Sequence, residues 1–303
     1  MKLRLVAALI LTILISGCQG VAHSPTPRVM AKQMNVNGAQ MAYVEQGTGD
    51  TVVFVHGALS DYRRWELIRP VISEHYRFVA LSLRYHYPNP WTDKGEKYNM
   101  AQHVEDVAQF IRGLNAGKVH LVGHSYGGAI AGRIALKYPE LLKTVVLGEG
   151  VLIPPTAAEG KAAGVEMFAG IGKAAVVERA GDDRTAAMIA INAIFNDPKL
   201  FQKLPLIGQQ TLIDNAKMLP FLSDSVNNAS PIACDQIGSL SVPALVITGQ
   251  VTAPYFRYVN EALLNCLPKT TASVIIPAAR HGFQGDNPGA TAQALLAFLA
   301  QNN

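Results

Sequence analysis

The sequence predicts an α/β fold in which eight short strands form a largely parallel sheet, covered by helices on both faces. Two observations carry this prediction. Short apolar segments alternate with helical patterns along most of the chain, and most of these segments are continuously apolar, which is typical of strands buried on both faces. The chain has 303 residues, 49% of them hydrophobic and 16% charged, which suffices for one large domain with an insertion or for two small domains.

The strands follow one another at short intervals in the first half of the chain. The first two flank the pair Asn37-Gly38, a sequence typical of a two-residue hairpin turn. The predicted strands are 33–36, 40–45, 51–55, 77–83, 119–122, 144–147, 244–248 and 273–276. Helical patterns between them include 102–114, 129–138 and 255–266, with a final helix near the carboxyl terminus.

The run 151–242 interrupts this alternation. It contains no convincing strand, is rich in alanine, methionine and other helix formers, and is broken by several prolines. We interpret it as a helical insertion between the sixth and seventh strands. The sequence therefore divides into a first part of the core over 33–150, the insertion over 151–242, and a second part of the core over 243–303.

The amino terminus has the pattern of a targeting segment. Lys2 and Arg4 precede an apolar run over 5–15 that is too short to span a bilayer. The run ends in Ser16-Gly17-Cys18, which resembles the bacterial lipobox, in which cleavage leaves a lipidated cysteine. We therefore expect a signal peptide over 1–17, a lipidated Cys18 and a flexible tether over 18–32, with an ordinary signal peptide and an incidental cysteine as the alternative.

The resemblance to the lipobox implies a lipid-anchored protein of the bacterial cell envelope, and Gln19 after the cysteine favours the outer membrane. The remaining cysteines, Cys234 and Cys266, could pair in such a compartment, but the sequence leaves their pairing open. The formal net charge is +4, and the lysines and arginines form no cluster in the sequence, so nothing predicts a nucleic-acid partner.

The most informative motif is Gly123-His124-Ser125-Tyr126-Gly127, which lies between a predicted strand and a predicted helix. A serine hydroxyl becomes a useful nucleophile only when it is exposed beside a base and beside hydrogen-bond donors. A tight strand-to-helix turn provides that exposure, and its crowding explains the two glycines. The alternative is a Gly-Ser turn before an ordinary helix.

With this motif, the chain resembles the lid-bearing α/β-hydrolases over about 33–303. The resemblance is carried by Val53-Phe54-Val55-His56-Gly57, the Ser125 turn, the insertion after the sixth strand and a histidine after the last strand. It implies that Ser125 is the nucleophile. The fold hosts esterases, carbon–carbon hydrolases, dehalogenases, epoxide hydrolases and perhydrolases, so it indicates little about the substrate. Dehalogenases and epoxide hydrolases carry aspartate at this turn, so serine argues against both.

The resemblance also implies that His281, in the loop after the last strand, is the general base. Many family members carry the triad acid after the seventh strand, where this chain has Thr252. Others take it from the end of the sixth strand, where Glu149 lies 24 residues after Ser125. We expect Glu149 to be the acid. The alternatives are that Glu149 anchors the insertion or binds substrate, and that Asp286 is the acid.

The oxyanion hole implied by the family consists of the main-chain N–H groups of Ala58 and Tyr126. His56 and His124 flank strands, and we expect them to have structural roles near the site. The hydrophobic residues of the insertion could line an acyl pocket or form the insertion's own core; they include Met167, Phe168, Met188, Phe195, Met218 and Phe221. No residue spacing suits a metal ion, and no motif predicts a nucleotide or other cofactor.

These features predict a serine hydrolase that cleaves small or medium carboxylic esters through an acyl-enzyme. The alternative within enzymes is a carbon–carbon bond hydrolase acting on diketone-type substrates, and a perhydrolase is a third option. The alternative of another class is a non-catalytic binding lipoprotein, supported by the missing aspartate at Thr252. The expected partners are a small ester substrate and a membrane reached through the lipid, and the oligomeric state is left open.

Overall fold

A computed structural model of the chain describes residues 29–230 and 232–303. Its strands are β1 (Lys32–Val36), β2 (Ala39–Gln46), β3 (Thr51–Val55), β4 (Arg77–Leu81), β5 (Val119–His124), β6 (Leu142–Gly148), β7 (Ala244–Gly249) and β8 (Ala272–Ile276). They form one sheet in the order β1-β2-β4-β3-β5-β6-β7-β8. The pairs β1–β2 and β2–β4 are antiparallel and the other neighbouring pairs are parallel, which confirms the predicted α/β fold.

Helices connect most of the parallel strands. They are α1 (Arg69–Ser73), α2 (Met100–Gly113), α3 (Tyr126–Lys137), α4 (Ala158–Arg179), α5 (Asp183–Phe195), α6 (Leu200–Lys203), α7 (Leu206–Asp214), α8 (Leu219–Asn227), α9 (Cys234–Gly238), α10 (Pro254–Cys266), α11 (Phe283–Asp286) and α12 (Pro288–Ala300). Short 3₁₀ turns lie at Tyr62–Trp65, Pro139–Leu141 and Ala216–Met218. None of the helices within the described residues is both long and apolar enough to cross a membrane.

Two apolar layers cover the two faces of the sheet. Fully buried Val107 of α2, Ile130 of α3 and Val259 of α10 belong to one layer. Ile72 of α1 and Leu295 of α12 belong to the other. Because both faces are covered, the central strands need continuous apolar runs, and β3 is buried along its whole length. The parallel strands all end at the same edge of the sheet, where ligands bind in open α/β folds.

The strand limits differ from the predicted ones by one or two residues. The hairpin turn forms at Asn37-Gly38, where both residues have positive φ, 48° and 77°. The predicted strand 77–83 stops at Leu81, although the N–H of Ser82 still donates to the main-chain oxygen of Ala42 in β2 at 2.8 Å. The N–H of Leu83 donates to Nε2 of His56 at 3.0 Å instead of extending the strand.

The helices α4 to α9 lie between β6 and β7 and form the insertion. Polar contacts join it to the loops of the core. The Asn215 side chain donates to Asp61 Oδ2 at 2.7 Å and accepts from the Tyr87 N–H at 2.8 Å. The hydroxyl groups of Tyr126 and Ser225 lie 2.5 Å apart. These contacts hold the insertion over the carboxyl edge of the sheet.

A disulfide joins the two cysteines whose pairing the sequence left open. Cys234 begins α9 and Cys266 ends α10, and the bond links positions 32 residues apart in sequence. It therefore fastens the last helix of the insertion to the core. The predicted signal peptide 1–17, Cys18 and most of the tether 18–32 lie outside the described residues.

Replacing both cysteines with serine is expected to lower the free energy of unfolding by about 3–4 kcal/mol, because the disulfide restricts the unfolded chain. Urea unfolding in the presence and absence of a reductant measures this change. Reductant should bring the wild-type midpoint to that of the double variant and should not move the midpoint of the variant. Equal midpoints for oxidised wild type and variant would contradict the expected stabilisation.

Candidate active site

Ser125 occupies a strained turn between β5 and α3. Its φ of 53° is in the left-handed region, which costs energy for a residue with a side chain. The turn is also crowded. A Cβ atom on Gly123 would lie 2.2 Å from the main-chain oxygen of Gly127, and one on Gly127 would lie 2.4 Å from that of His56. Only glycine fits at these two positions, and the tight turn that they allow exposes Ser125 at the carboxyl edge of the sheet.

The structure brings Glu149 and His281 into direct contact. His281 lies in the loop between β8 and α11, and its Nδ1 is 2.5 Å from Oε2 of Glu149. Glu149 follows β6 directly and has a φ of 51°, so its carboxylate is aimed across the sheet edge by a single left-handed residue. Both side chains are buried: 3% of the His281 side-chain surface and 0% of the Glu149 side-chain surface are exposed.

Two further groups hold the Glu149 carboxylate. The main-chain N–H of Gly249 donates to Oε1 at 2.8 Å, and the Thr252 hydroxyl donates to Oε2 at 2.9 Å. Thr252 occupies the position at which the acid was sought after the seventh strand, and its hydroxyl binds the Glu149 carboxylate that follows the sixth strand. Sequence reasoning missed this role. The available signal was the combination of a hydroxyl after β7 with a carboxylate after β6.

Burial acts on the two partners in opposite directions. It raises the pKa of Glu149 to about 7, against the effect of the hydrogen bonds from Gly249 and Thr252, which favour the ionised carboxylate. Burial, together with the nearby Arg64 cation, lowers the pKa of His281 well below its ordinary value. The His281 imidazole is therefore neutral at neutral pH, the state that a general base requires.

Aromatic rings fix the plane of the His281 imidazole. The Phe256 ring of α10 stacks on it with centroids 3.6 Å apart and an interplanar angle of 11°. The Phe195 ring of α5 meets it edge-on at 5.5 Å. The His281 main-chain oxygen lies 2.7 Å from Nε2 of His124, the residue before Ser125. Core and insertion thus both contribute to the orientation of the His281 imidazole.

The other two histidines of the predicted motifs make structural contacts. Nδ1 of His56 donates to the main-chain oxygen of Gly57 at 2.7 Å, while Nε2 accepts from Leu83. The bond between His124 and the main chain of His281 ties the nucleophile turn to the loop of the base. Burial lowers the pKa of both imidazoles, so they remain neutral.

The Ser125 hydroxyl opens into an apolar pocket and makes no hydrogen bond to any described residue. Tyr126 is the first residue of α3, so its N–H has no partner inside that helix. Ala58 lines the same pocket, and its chain passes close to the serine, since a Cβ atom on Gly57 would lie 2.9 Å from that of Ser125. The structure therefore places Ala58 and Tyr126 next to Ser125 in the wall of one pocket.

Asp286, the alternative acid, lies at the end of α11 and is engaged elsewhere. Its Oδ1 is 2.6 Å from Nη2 of Arg280, and its Oδ2 accepts from the Arg280 main chain at 2.9 Å. This arrangement leaves the contact with the imidazole to Glu149.

The insertion supplies much of the pocket wall. The pocket is lined by Ala58, Met100, Ser125, Tyr126, Ala129, Arg133, Val151, Met167, Phe168, Ile171, Ile194, Leu222, Val226, Ala229 and Phe256. Of the six hydrophobic candidates from the sequence, Met167 and Phe168 lie in this wall. Met218 is wholly buried in the insertion, and Phe221 stacks on Tyr98 of the core. Within residues 29–230 and 232–303, no group of three or more histidine, cysteine or acidic side chains could hold a metal ion.

A family model for the alpha/beta hydrolase fold matches residues 50–169, which include Ser125 and Glu149. The chain has the α/β-hydrolase fold. The protein named "Putative esterase/lipase" of Haemophilus influenzae is 28% identical to this chain over 278 residues, which cover 91% of each chain.

Solved structures have the same fold. The carboxylesterase CesB from Bacillus subtilis superposes with a TM-score of 0.73 at 17% identity, covering 91% of this chain and 93% of that chain. A serine hydrolase involved in carbazole degradation gives a TM-score of 0.71 at 20% identity, covering 90% of this chain and all of that chain (100%). With this fold and a relative named as an esterase/lipase, the chain is a hydrolase.

Proposed function

We propose that the protein is a serine esterase that hydrolyses small or medium carboxylic esters with Ser125, His281 and Glu149 as its catalytic triad. The observation that carries the proposal is the 2.5 Å contact between Glu149 and the imidazole of His281, beside the strained Ser125 turn. The overall likeness to a protein named as an esterase/lipase supports the ester as substrate class.

In the proposed reaction, Oγ of Ser125 attacks the ester carbonyl carbon while Nε2 of His281 accepts the hydroxyl proton. Glu149 holds the imidazole by Nδ1 and stabilises the imidazolium that forms. The N–H groups of Ala58 and Tyr126 bind the oxyanion of the tetrahedral intermediate. The alcohol leaves with the proton from His281, and water then hydrolyses the acyl-enzyme by the same steps.

The pocket supports a small acyl group. Its cavity of about 70 Å³ is well below the roughly 300–1,000 Å³ of sites for drug-sized ligands. Its wall is mainly aliphatic and aromatic, with Ile171 and Ile194 from the insertion facing Ala129 of α3. A longer acyl chain would require the insertion to move.

Hydrolysis of p-nitrophenyl acetate and butyrate by the full-length protein in detergent tests the proposal, beside a panel of diketones. Rapid release of nitrophenol supports an esterase. Turnover of diketones alone would favour the carbon–carbon bond hydrolase. A fluorophosphonate probe that fails to label Ser125 would favour a binding lipoprotein.

Replacing Thr252 with valine is expected to make the esterase more sensitive to acid. The hydroxyl bond to Glu149 favours the ionised carboxylate and so lowers its pKa. Its loss should raise that pKa and move the acidic limb of the kcat/KM profile upward by about one pH unit. Activity should thus fall most below neutral pH.

The matched control is Thr252→Ser, which keeps the hydroxyl. The acidic limb of its kcat/KM profile should lie at the wild-type pH. Superimposed acidic limbs for wild type and Thr252→Val would show that the hydroxyl does not support the acid.

We also propose that Cys18 carries a lipid that anchors the enzyme in the bacterial cell envelope at the outer membrane. The resemblance of Ser16-Gly17-Cys18 to a lipobox supports the anchor. The disulfide between Cys234 and Cys266 fits an oxidising compartment, since such bonds are rare in the cytosol.

Cys18→Ser is expected to release the enzyme from the membrane fraction, because a lipid chain contributes about 0.8 kcal/mol of membrane binding for each buried methylene. Fractionation of cells followed by an activity assay measures the release. The specific activity of the released enzyme should equal that of the wild type, since the change lies outside the catalytic domain. Undiminished membrane association would contradict the anchor.

A further inference from the structure

Arg133 is an unusual member of the pocket that contains Ser125. Among the described residues lining that pocket, it is the one with a formal charge, and its neighbours Ala129, Val226 and Ala229 are apolar. Most of its side chain is buried. Burial lowers the pKa of Arg133, but a guanidinium stays protonated throughout the range in which proteins work. The pocket therefore contains a permanent positive charge.

The guanidinium is directed back along α3 towards the nucleophile. Its Nη1 donates to the main-chain oxygen of Ala129 at 3.3 Å, and the N–H of Ala129 in turn donates to the main-chain oxygen of Ser125 at 3.0 Å. Each of these steps spans one helical turn. The positive charge therefore lies beside the main-chain oxygen of Ala129, at 3.3 Å, and Ala129 is about one turn, or roughly 5 Å along the helix axis, from Ser125.

No carboxylate among the described residues neutralises this charge. The Nη2 of Arg133 donates to the main-chain oxygen of Ser230 at 3.2 Å, and its hydrogen bonds are to main-chain oxygens alone. Other arginines among the described residues have an acidic partner, for example Arg63 with Asp61 and Asp214, Arg84 with Asp106, and Arg280 with Asp286. A cation without a counter-ion in an apolar wall is unfavourable, so the pocket favours a ligand that brings an anion to Arg133.

We propose that Arg133 binds a carboxylate at the far end of the acyl group, so that the preferred substrate is the half-ester of a short dicarboxylic acid. This inference rests on the proposed esterase activity of Ser125. The separation of about one helical turn fits a spacer of a few carbon atoms between the scissile carbonyl and the carboxylate. The planar guanidinium can donate to both carboxylate oxygens, which gives it selectivity over a neutral ester group.

Monomethyl glutarate and dimethyl glutarate test the proposal, because they have the same chain length and differ in one negative charge. Methanol release by the full-length protein in detergent gives kcat/KM for each ester. We expect the wild type to prefer the monoanion by about tenfold or more, chiefly through a lower KM. Arg133→Met should bring the ratio of the two kcat/KM values close to one. Arg133→Lys should give an intermediate ratio, because lysine keeps the positive charge but lacks the paired N–H donors of the planar guanidinium.

Lys118→Met is the control for overall charge. It removes one positive charge at the exposed start of β5, the opposite end of the strand that leads to Ser125, and should keep the wild-type ratio. As a second measurement, free glutarate should inhibit p-nitrophenyl butyrate hydrolysis by the wild type and should inhibit Arg133→Met much less.

A wild-type ratio near one, or the same ratio in wild type and Arg133→Met, would overturn the carboxylate site. So would efficient turnover of p-nitrophenyl butyrate with none of monomethyl glutarate, and in all three cases the esterase itself would stand. Absence of turnover for every ester, together with an unlabelled Ser125, would instead overturn the proposed function and this inference with it.

Discussion

Ser125→Ala is expected to lower kcat for p-nitrophenyl butyrate by roughly five to six orders of magnitude, the loss typical of serine hydrolases deprived of their nucleophile. Alanine keeps the Cβ atom of serine, so the left-handed turn and its glycine contacts are unchanged. The folded protein should therefore keep its urea midpoint while losing its covalent chemistry. Steady-state rates and labelling by a fluorophosphonate probe measure the two consequences of this change.

The matched control is Ser239→Ala, an exposed serine after α9, which should leave both rate and labelling at wild-type values. Retention of more than about a thousandth of the wild-type rate in Ser125→Ala would contradict the role of this hydroxyl as nucleophile.

Glu149→Gln is expected to lower kcat by about 10³–10⁴-fold. The amide has nearly the shape of the carboxylate, so the bonds from Gly249 and Thr252 can persist. It lacks the negative charge that stabilises the imidazolium, and its NH₂ group can donate to Nδ1 of His281 and impose the wrong tautomer. The measurement is kcat at a pH well above 7, where Glu149 of the wild type is ionised and His281 is neutral.

Asp286→Asn is the control for the competing acid. It disrupts an ion pair with Arg280 that is partly exposed to solvent, so we expect kcat to change less than about threefold. If Asp286→Asn lost activity and Glu149→Gln kept it, the acid would have to be reassigned to Asp286.

The sheet and the nucleophile turn were predictable because their sequence signals are local. Buried parallel strands require continuous apolar runs, and the crowding at Gly123 and Gly127 leaves glycine as the one residue that fits. The exact ends of the strands were harder to predict. The loss of two residues from β4 depends on the bond between Leu83 and His56, which lie 27 residues apart, and no local pattern encodes it.

The proposal of Glu149 as the acid needed a resemblance in addition to the residues. Its place between two glycines at the end of a strand made Glu149 the stronger candidate, while Asp286 fitted the start of the final helix, and the family pattern also favoured Glu149. The hydroxyl of Thr252 lies 103 residues from Glu149 in sequence, so its contact with the carboxylate follows from the adjacency of β6 and β7 in the sheet. The pairing of Cys234 with Cys266 likewise depends on where α9 docks.

The insertion was the least predictable region. Its helices are rich in alanine and methionine all round, so the sequence does not mark which face meets the pocket. Met167 and Met218 look alike in sequence, yet one lines the pocket and the other packs inside the insertion. Arg133 was missed for a related reason. A single arginine on a helix is ordinarily solvated, and only the docking of the insertion turns its surroundings apolar.

The edge of the Phe195 ring against His281 has a consequence for engineering. Helical insertions of this kind look like interchangeable modules that could be transplanted between scaffolds to alter substrate choice. Here the insertion also supplies an aromatic contact to the proposed base, so a graft that matched the pocket but omitted that phenyl ring would leave the imidazole with Phe256 and Glu149 alone to orient it. A successful transplant would have to carry the ring along, or rebuild its equivalent in the recipient.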